Sequence, residues 1–278
     1  MNGVLFIDKK ENMTSRDVVN EVCKLLHTKK VGHTGTLDPL ASGVLILCVG
    51  TYTKLVDTFL AKEKTYIVKM KLGIKTDTGD ITGNVLERNS KSFSEQDISL
   101  AFQSFPKEYE QTVPIYSAVK INGKKLYEYA RNGEKIDLPK RVVHIYDLRI
   151  LSIHDDEIEF ETRVSKGTYI RSLIEDIASS LGTIATMSSL RRIKQGNVSI
   201  KDCISISNLT NEPPLKQLTD LFDYPKYEIS DEEYHKVQNG NVLSLKSMEP
   251  RLFLAYKDHV VAIYEKKDDI YKMIFKTI

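Results

Sequence analysis

The sequence predicts an α+β protein, because segments of helical period and segments of strict alternation are mixed along it. Over 157–164 the alternation is complete. Ile158, Phe160, Thr162 and Val164 share one face and Glu157, Glu159, Glu161 and Arg163 the other, as in a half-exposed antiparallel strand. Val18, Val19, Val22, Leu25 and Leu26 instead fall on one helical face, as do Ile170, Leu173, Ile174, Ile177 and Leu181. With 278 residues, 41% hydrophobic and 28% charged, the chain has the make-up of a globular protein of two domains or one large one.

Taken in order, Gly3–Ile7 reads as a buried strand ending at Asp8-Lys9, and Asn12-Met-Thr-Ser15 offers N-caps for the first helix. A loop follows, Lys30-Val-Gly-His-Thr-Gly-Thr-Leu-Asp-Pro-Leu-Ala-Ser-Gly43, and then the apolar run Val44–Val49. Glycines and a proline give such a loop a set shape, and the apolar run anchors it to a core. Its one carboxylate, Asp38, either caps a turn through its own backbone or sits where a nucleophile or general base is useful. A helix is predicted over 53–60. The strand over 64–72 sets Tyr66, Val68, Met70 and Leu72 on one face, so Tyr66 alone reads as the first of a core-facing row. Residues 73–80 form a polar, turn-rich loop. Ser94–Asp97 resembles a capping start to a helix with Ile98, Phe102 and Phe105 on its apolar face.

From Tyr116 to Arg141 there are seven Lys/Arg and three Asp/Glu, a local net of +4, with Tyr116, Tyr127 and Tyr129 interleaved. Such a run is either a solvated face or a surface with cations for phosphates and rings for bases. Strands are expected over 142–151 and 158–164, and then a helix to Leu181 stopped by Gly182. At its start, Arg171 is spaced to pair with Glu175 at i+4. Residues 208–223, with Pro213-Pro214, read as a linker. From Tyr224 onward nine Lys/Arg balance nine Asp/Glu, and a short helix opening at Ser230 is followed by two or three strands.

Net charge is only +2, so overall charge does not announce a nucleic-acid partner. No apolar run approaches bilayer length, and the N-terminus lacks the pattern of a signal peptide. Cys23, Cys48 and Cys203 are odd in number and widely spaced, and the six histidines show no ligand spacing. A reduced, cytoplasmic protein with neither disulfides nor a metal site is expected.

The string Val-Gly-His-Thr-Gly-Thr-Leu-Asp-Pro-Leu-Ala-Ser-Gly-Val-Leu closely resembles the catalytic loop of the TruB family, the tRNA pseudouridine synthases acting on the T-loop uridine at position 55. Lys-Gly-Thr-Tyr-Ile-Arg171 and Leu190-Arg-Arg192 resemble two further signatures of that family, in the same order. The resemblance spans about 2–196. It implies a pseudouridine synthase catalytic fold, with a mixed, largely antiparallel sheet flanked by helices, over residues 1–223. It also implies a small β-rich PUA-like module over 224–278, whose own motif match is weak and which either contacts RNA or is structural. Asp38 is then the catalytic aspartate. Tyr66 stacks on the target base, Tyr169 closes the pocket, Arg171 pairs with the aspartate and Leu190 is the apolar floor. His33 matches a residue contacting the disturbed T-loop, though a loop-stabilising hydrogen bond is an equal reading. Lys9 matches a substrate-site position, but Lys10 stands where the family has proline. Arg191 and Arg192 are candidates for RNA contacts or structural ion pairs.

The segment 112–141 resembles the family's T-arm insert, which makes Lys120, Lys124, Lys125 and Arg131 RNA-binding candidates and the insert mobile until RNA binds. Pseudouridylation is an isomerisation, so neither a metal nor an organic cofactor is expected. The expected partner is the T-arm of tRNA, met by a monomer without guide RNA or protein partner. Three other readings compete: a guide-RNA-dependent synthase of the dyskerin type, an RNA-binding or tRNA-folding module, and a nucleoside hydrolase. The last would need a metal or a second carboxylate to activate water, and neither is evident.

Overall fold

Strand, helix and loop boundaries follow from a computed structural model that describes residues 1–60 and 62–277. The chain opens with β1 (Gly3–Lys9), α1 (Ser15–Leu25), β2 (Val31–His33) and β3 (Ser42–Val49). A 3-10 turn over Gly50–Leu55 runs into the short helix α2 (Val56–Leu60). Next come β4 (Lys64–Leu72), a hairpin of β5 (Ile74–Thr76) and β6 (Val85–Arg88), α3 (Glu95–Ser104) and β7 (Glu108–Thr112). The basic insert holds a small hairpin, β8 (Lys120–Ile121) and β9 (Lys124–Lys125), and helix α4 (Leu126–Arg131). Then follow β10 (Lys140–His154), β11 (Glu157–Val164), α5 (Ile170–Ser180), β12 (Ala185–Gln195), β13 (Val198–Ser199) and β14 (Ile204–Ser205). Helix α6 (Leu218–Leu221) leads to β15 (Lys226–Glu228), α7 (Asp231–Gln238), β16 (Arg251–Tyr256), β17 (His259–Lys267) and β18 (Ile270–Lys276).

The main sheet has the order β14-β1-β3-β12-β4-β11-β10-β7, with β2 added to β3 and β13 to β12. Two of its pairings, β1–β14 and β3–β12, are parallel and the others antiparallel, giving the expected mixed, largely antiparallel α+β sheet. The run Val44–Val49 is unbroken because β3 is covered on both faces. Leu45, Leu47 and Val49 meet Val18, Val19 and Val22 of α1, while Val44, Ile46 and Cys48 join a second core with Tyr52, Leu55 and Phe59. Strand β11 shows the opposite case. Its inward row is fully buried and its charged row half-exposed, as alternation requires.

Local signals set the helix starts. Thr14 caps α1 and Ser94 caps α3, each in a reciprocal box with an aspartate three residues on, Asp17 and Asp97. The loop expected over 73–80 is partly a strand: β5 pairs with β6. The segment expected to be a linker is in fact built into the core. Lys216 and Val4 exchange backbone hydrogen bonds, the Tyr52 hydroxyl bonds the Gln217 side chain at 3.0 Å, and Leu218 is buried. Pro213-Pro214 marks a turn there, but the apolar residues after it still find partners.

The C-terminal module is a four-stranded sheet, β15-β16-β17-β18, with β15 parallel to β16. That is one strand more than expected, because Lys226–Glu228 is too short and polar to stand out as a strand. Phe253, Ile263 and Phe275 of this sheet share a core with Val4, Tyr52 and Phe59, and the Tyr52 and Phe275 rings meet edge to face at 5.2 Å. The module therefore packs directly on the main sheet.

Candidate active site

The parallel pair β3–β12 lies at the centre of the main sheet, and the loop that carries Asp38 leads into β3. Gly43, at φ +105°, pairs with Arg192, and a side chain there would run into the Arg192 carbonyl. Side chains from three neighbouring elements hold the loop. Ser15, at the start of α1, accepts from the Leu37 N–H at 2.9 Å and donates to the Leu37 carbonyl at 3.2 Å. Lys9, from β1, donates to the carbonyls of Met13 at 2.7 Å, Lys10 at 2.9 Å and Pro39 at 3.4 Å. From β12, Arg192 donates to the carbonyls of Val44 and Gly35, and Gln195 donates to the Thr34 carbonyl and hydroxyl. The loop's backbone groups are thus met by side chains that are themselves buried.

Asp38 faces Arg171 in a two-point ion pair. Nε lies 3.0 Å from one carboxylate oxygen and Nη2 3.3 Å from the other. Arg171 also donates to the carbonyls of Thr78 at 2.8 Å and Tyr116 at 2.9 Å. Its side chain is 6% exposed against 32% for Asp38, so the guanidinium is fixed and the carboxylate is presented. Of the two partners read for Arg171, Asp38 from a distant loop takes the ion pair, as the resemblance implied, and Glu175 at i+4 does not. Tyr169, the residue before α5, is held at both backbone groups by the fully buried Gln111 of β7. The Gln111 side chain accepts from the Tyr169 N–H at 2.8 Å and donates to the Tyr169 carbonyl at 3.1 Å. It also donates to the Tyr109 hydroxyl, which in turn donates to Asp176 at 2.8 Å. Burial pushes up both the Tyr109 hydroxyl and the Asp176 carboxyl.

Asp38, Arg171, Tyr66, Tyr169 and Leu190 line one cavity of about 440 Å³. Tyr66 and Leu190 reach it from the neighbouring strands β4 and β12, and Tyr116 and Tyr127 of the insert close another wall. No group of three or more His, Cys, Asp or Glu side chains is arranged to hold a metal among the described residues. The arrangement offers one carboxylate, an arginine that aims it, and aromatic and aliphatic walls for a planar base.

Residues 23–170 match the model of the TruB family pseudouridylate synthase N-terminal domain, and residues 171–220 match that of the tRNA pseudouridylate synthase B C-terminal domain. A relative named tRNA pseudouridine synthase B, from Clostridium kluyveri, is 42% identical over 95% of this chain and 92% of its own. One of the same name from Lactobacillus acidophilus is 39% identical over 98% and 97%. The chain belongs to the TruB family of pseudouridylate synthases. Among solved structures, a chain of an H/ACA RNP bound to a substrate RNA containing 2′-deoxyuridine has the same fold. It superposes with a TM-score of 0.71 at 23% identity, over 99% of this chain and 84% of that one. The two TruB family models meet at the first turn of α5, yet the sheet continues through β12 beyond it, so that junction is not a structural boundary.

Within this TruB chain, the residues expected at the site do not all gather there. Lys9 is a correction. It is fully buried, with its ammonium on three carbonyls, and it braces the Asp38 loop instead of facing the cavity. Burial lowers its pKa to about 8, against the pull of the Asp38 charge. His33 ends β2 and is not among the cavity-lining residues; its buried Nδ1 has no hydrogen-bond partner among the described residues, so that nitrogen makes no loop-stabilising bond. Burial and then the charges of Arg16 and Arg192 lower its pKa. Arg191 makes an ion pair with Asp8 at 2.8 Å, whereas Arg192 makes no ion pair among the described residues and donates to carbonyls.

Lys120 and Arg131 are exposed on the insert. Lys124 lies over the Tyr129 ring at 4.4 Å and pairs with Glu134, and Lys125 and Arg131 both lie 5.3 Å from the Tyr127 ring. Sequence reasoning missed Ser15 and Gln111. Gln111 sits among polar residues of an edge strand, where periodicity carries no signal. Ser15 lies inside a helix-capping stretch, which hides its second role.

Proposed function

We infer that this chain is a tRNA pseudouridine synthase, an isomerase that converts uridine 55 in the T-loop of tRNA to pseudouridine. The observation that carries the reading is the Asp38–Arg171 pair set beside Tyr66, Tyr169 and Leu190 in one cavity of a TruB family chain. The reaction breaks the bond between N1 of uracil and C1′ of ribose, turns the base, and joins C5 to C1′. C5 gives up its proton and N1 gains one, so nothing is oxidised or reduced. In this reading Asp38 acts on the nucleotide, and Arg171 orients it and balances its charge. Tyr66, Tyr169 and Leu190 hold the free base while it turns. A T-loop uridine is buried in folded tRNA and must be flipped out, at a cost of a few kcal/mol. In this reading the tyrosines and lysines of the insert, about 112–141, take up the T-arm, with rings for bases and cations for phosphates, a role supported by the side-by-side setting of those cations and rings.

Residues 1–223 would form the catalytic domain and 224–278 a PUA-like RNA-binding module, in an enzyme working in the cytoplasm as a monomer without guide RNA. The test is pseudouridine formation in an unmodified tRNA transcript by purified protein alone. Conversion at the T-loop uridine, lost in Asp38→Asn, is the expected result. No conversion by intact, tRNA-binding protein would overturn the stand-alone reading, and conversion restored by adding a guide RNA would replace it.

A further inference from the structure

Four charged side chains line the cavity: Asp38, Arg171, Lys64 and Arg192. Asp38 and Arg171 neutralise one another, which leaves Lys64 and Arg192 as a surplus of two positive charges. Both are buried, at 8% and 1% exposure, and neither pairs with a carboxylate among the described residues. Their hydrogen bonds go to carbonyls: Lys64 to Leu60 and Lys62, and Arg192 to Val44 and Gly35. Arg192 Nη1 has no acceptor among the described residues. Two buried like charges without a counter-charge oppose folding, so an arrangement that keeps them calls for an anion.

The space for that anion lies against Gly35. Its φ of +143° suits glycine, and a methyl built there would stand 3.5 Å from Arg192 Nη1 and 3.8 Å from Lys64 Cε without a clash. The missing side chain leaves Arg192 Nη1 and the Lys64 Cε methylene next to its ammonium facing that space, with the Gln195 Oε1, which has no hydrogen-bond partner among the described residues, at 3.9 Å. Arg192 and Lys166 also depress the pKa of Lys64 by their charge, after burial itself, so the three cations sense one another.

Uracil and ribose are neutral, and neither uses a double positive charge. The anion that RNA brings is the phosphodiester. We propose that Lys64 and Arg192, opened by Gly35, form a subsite in this cavity for a backbone phosphate next to the flipped uridine. The proposal rests on the reading of the cavity as the site for a nucleotide of tRNA. Anchoring that phosphate on β4 and β12 fixes the ribose relative to Asp38 while the base is free to turn.

The experiment uses the full-length protein and a T-arm stem-loop RNA in which single phosphates near the target uridine are replaced by neutral methylphosphonates. With wild-type protein, one flanking substitution weakens binding about ten-fold, the scale of one charged hydrogen-bonded contact. Lys64→Met weakens binding to the all-phosphate RNA by a similar factor, no longer responds to that substitution, and lowers the salt slope by about 0.7–0.9. Lys64→Arg keeps the response, and melting curves confirm that both variants are folded.

The proposal falls if no flanking phosphate matters to the wild type, a result that needs no variant. It also falls if Lys64→Met remains as sensitive as wild type. Added inorganic phosphate that binds Lys64 and leaves RNA affinity unchanged would assign the pair to free phosphate instead. Pseudouridine formation by wild type on the all-phosphate RNA is scored separately. Phosphate coupling without product would sink the activity and keep the subsite, and product without coupling would do the reverse.

Discussion

The loop that carries Asp38 and the insert that carries Lys124 and Lys125 border the same cavity but are held in different ways. The loop takes hydrogen bonds from Ser15, Lys9, Arg192 and Gln195, all buried and all rooted in other elements. The insert is tied to the core near its base, where Arg171 meets the Tyr116 carbonyl and Ser172 the Thr112 carbonyl. Farther out its bonds are internal: Leu126 N–H to the Val119 carbonyl, the Tyr129 hydroxyl to the Ile121 carbonyl, and Lys124 to Glu134. Its tip glycines, Gly123 and Gly133, have no other group near the place a side chain would fill. Chemistry at a bond needs a carboxylate fixed to within a fraction of an ångström, and the loop is braced for that. Gripping a large, folded RNA needs a surface that can adapt, and local contacts release more readily than core ones.

The sharpest break of this contrast is at the carboxylate. Asp38→Asn keeps the size of the side chain and removes its charge. Turnover on a tRNA transcript should fall by about 10³-fold or more, with tRNA affinity within a few-fold of wild type. Equal losses in both would make Asp38 a structural residue. Arg171→Ala should be nearly as inactive and also less stable, since it strips Asp38 of its partner and two carbonyls of their donor.

A smaller effect is expected one step back from the cavity. Gln111→Ala releases both backbone groups of Tyr169 and leaves the Tyr109 hydroxyl without its donor. Turnover should drop about ten- to hundred-fold through misplacement of Tyr169 and Arg171. The cost in folding stability should be about 1–3 kcal/mol, read from denaturant melts. Unchanged turnover in a destabilised variant would confine Gln111 to a structural role.

This residue also marks where the sequence stops being informative. Strands, helices and caps were legible because they follow local spacing: the alternation of 157–164, the faces of α1 and α5, the N-cap candidates of Asn12–Ser15 and the capping start at Ser94. Resemblance pointed to Asp38 and Arg171. The braces were not legible. Ser15 reaches Leu37 across 22 residues and Gln111 reaches Tyr169 across 58, and neither contact leaves a periodic trace. Packing hides the same way in the 208–223 segment, whose prolines suggest a linker although Leu218 is buried. Charge misleads at Lys9 and Arg192, because a cation in a sequence looks exposed until the carbonyls around it are known.

On the insert the expected loss is in binding alone. Lys124→Ala with Lys125→Ala should weaken tRNA binding about ten-fold at moderate salt and lower the salt slope by one to two, with folding stability changed by less than about 0.5 kcal/mol. Both lysines already rest on tyrosine rings, so binding RNA exchanges those contacts for phosphates. An unchanged salt slope would place the insert away from phosphate and remove the functional half of the contrast.

The mildest test is of pH, and it asks whether buried cations are a cost to the free protein. Lys64 and Lys9 are both lowered from the usual lysine value of 10.5 to about 8, chiefly by burial. At Lys64 the charges of Arg192 and Lys166 add to the shift; at Lys9 Arg192 adds to it, while Asp38, Glu11 and Asp17 oppose it. Between pH 8 and 10.5 the unfolded chain therefore holds more protons than the folded one, and stability rises with pH across that window. Below about pH 8 both states are protonated and the full cost of burying the charges is present. The gain should amount to a few degrees in Tm between pH 8 and 9.5, and Lys64→Met should remove about half of it, with Lys9 keeping the rest. RNA binding should move the other way: a phosphate beside Lys64 holds its proton, so affinity falls as pH rises past 8. A Tm that stays flat over this range in wild type and Lys64→Met alike would mean that the lysine is solvated in the free protein, and with that the charge argument for its phosphate would lose its main physical support.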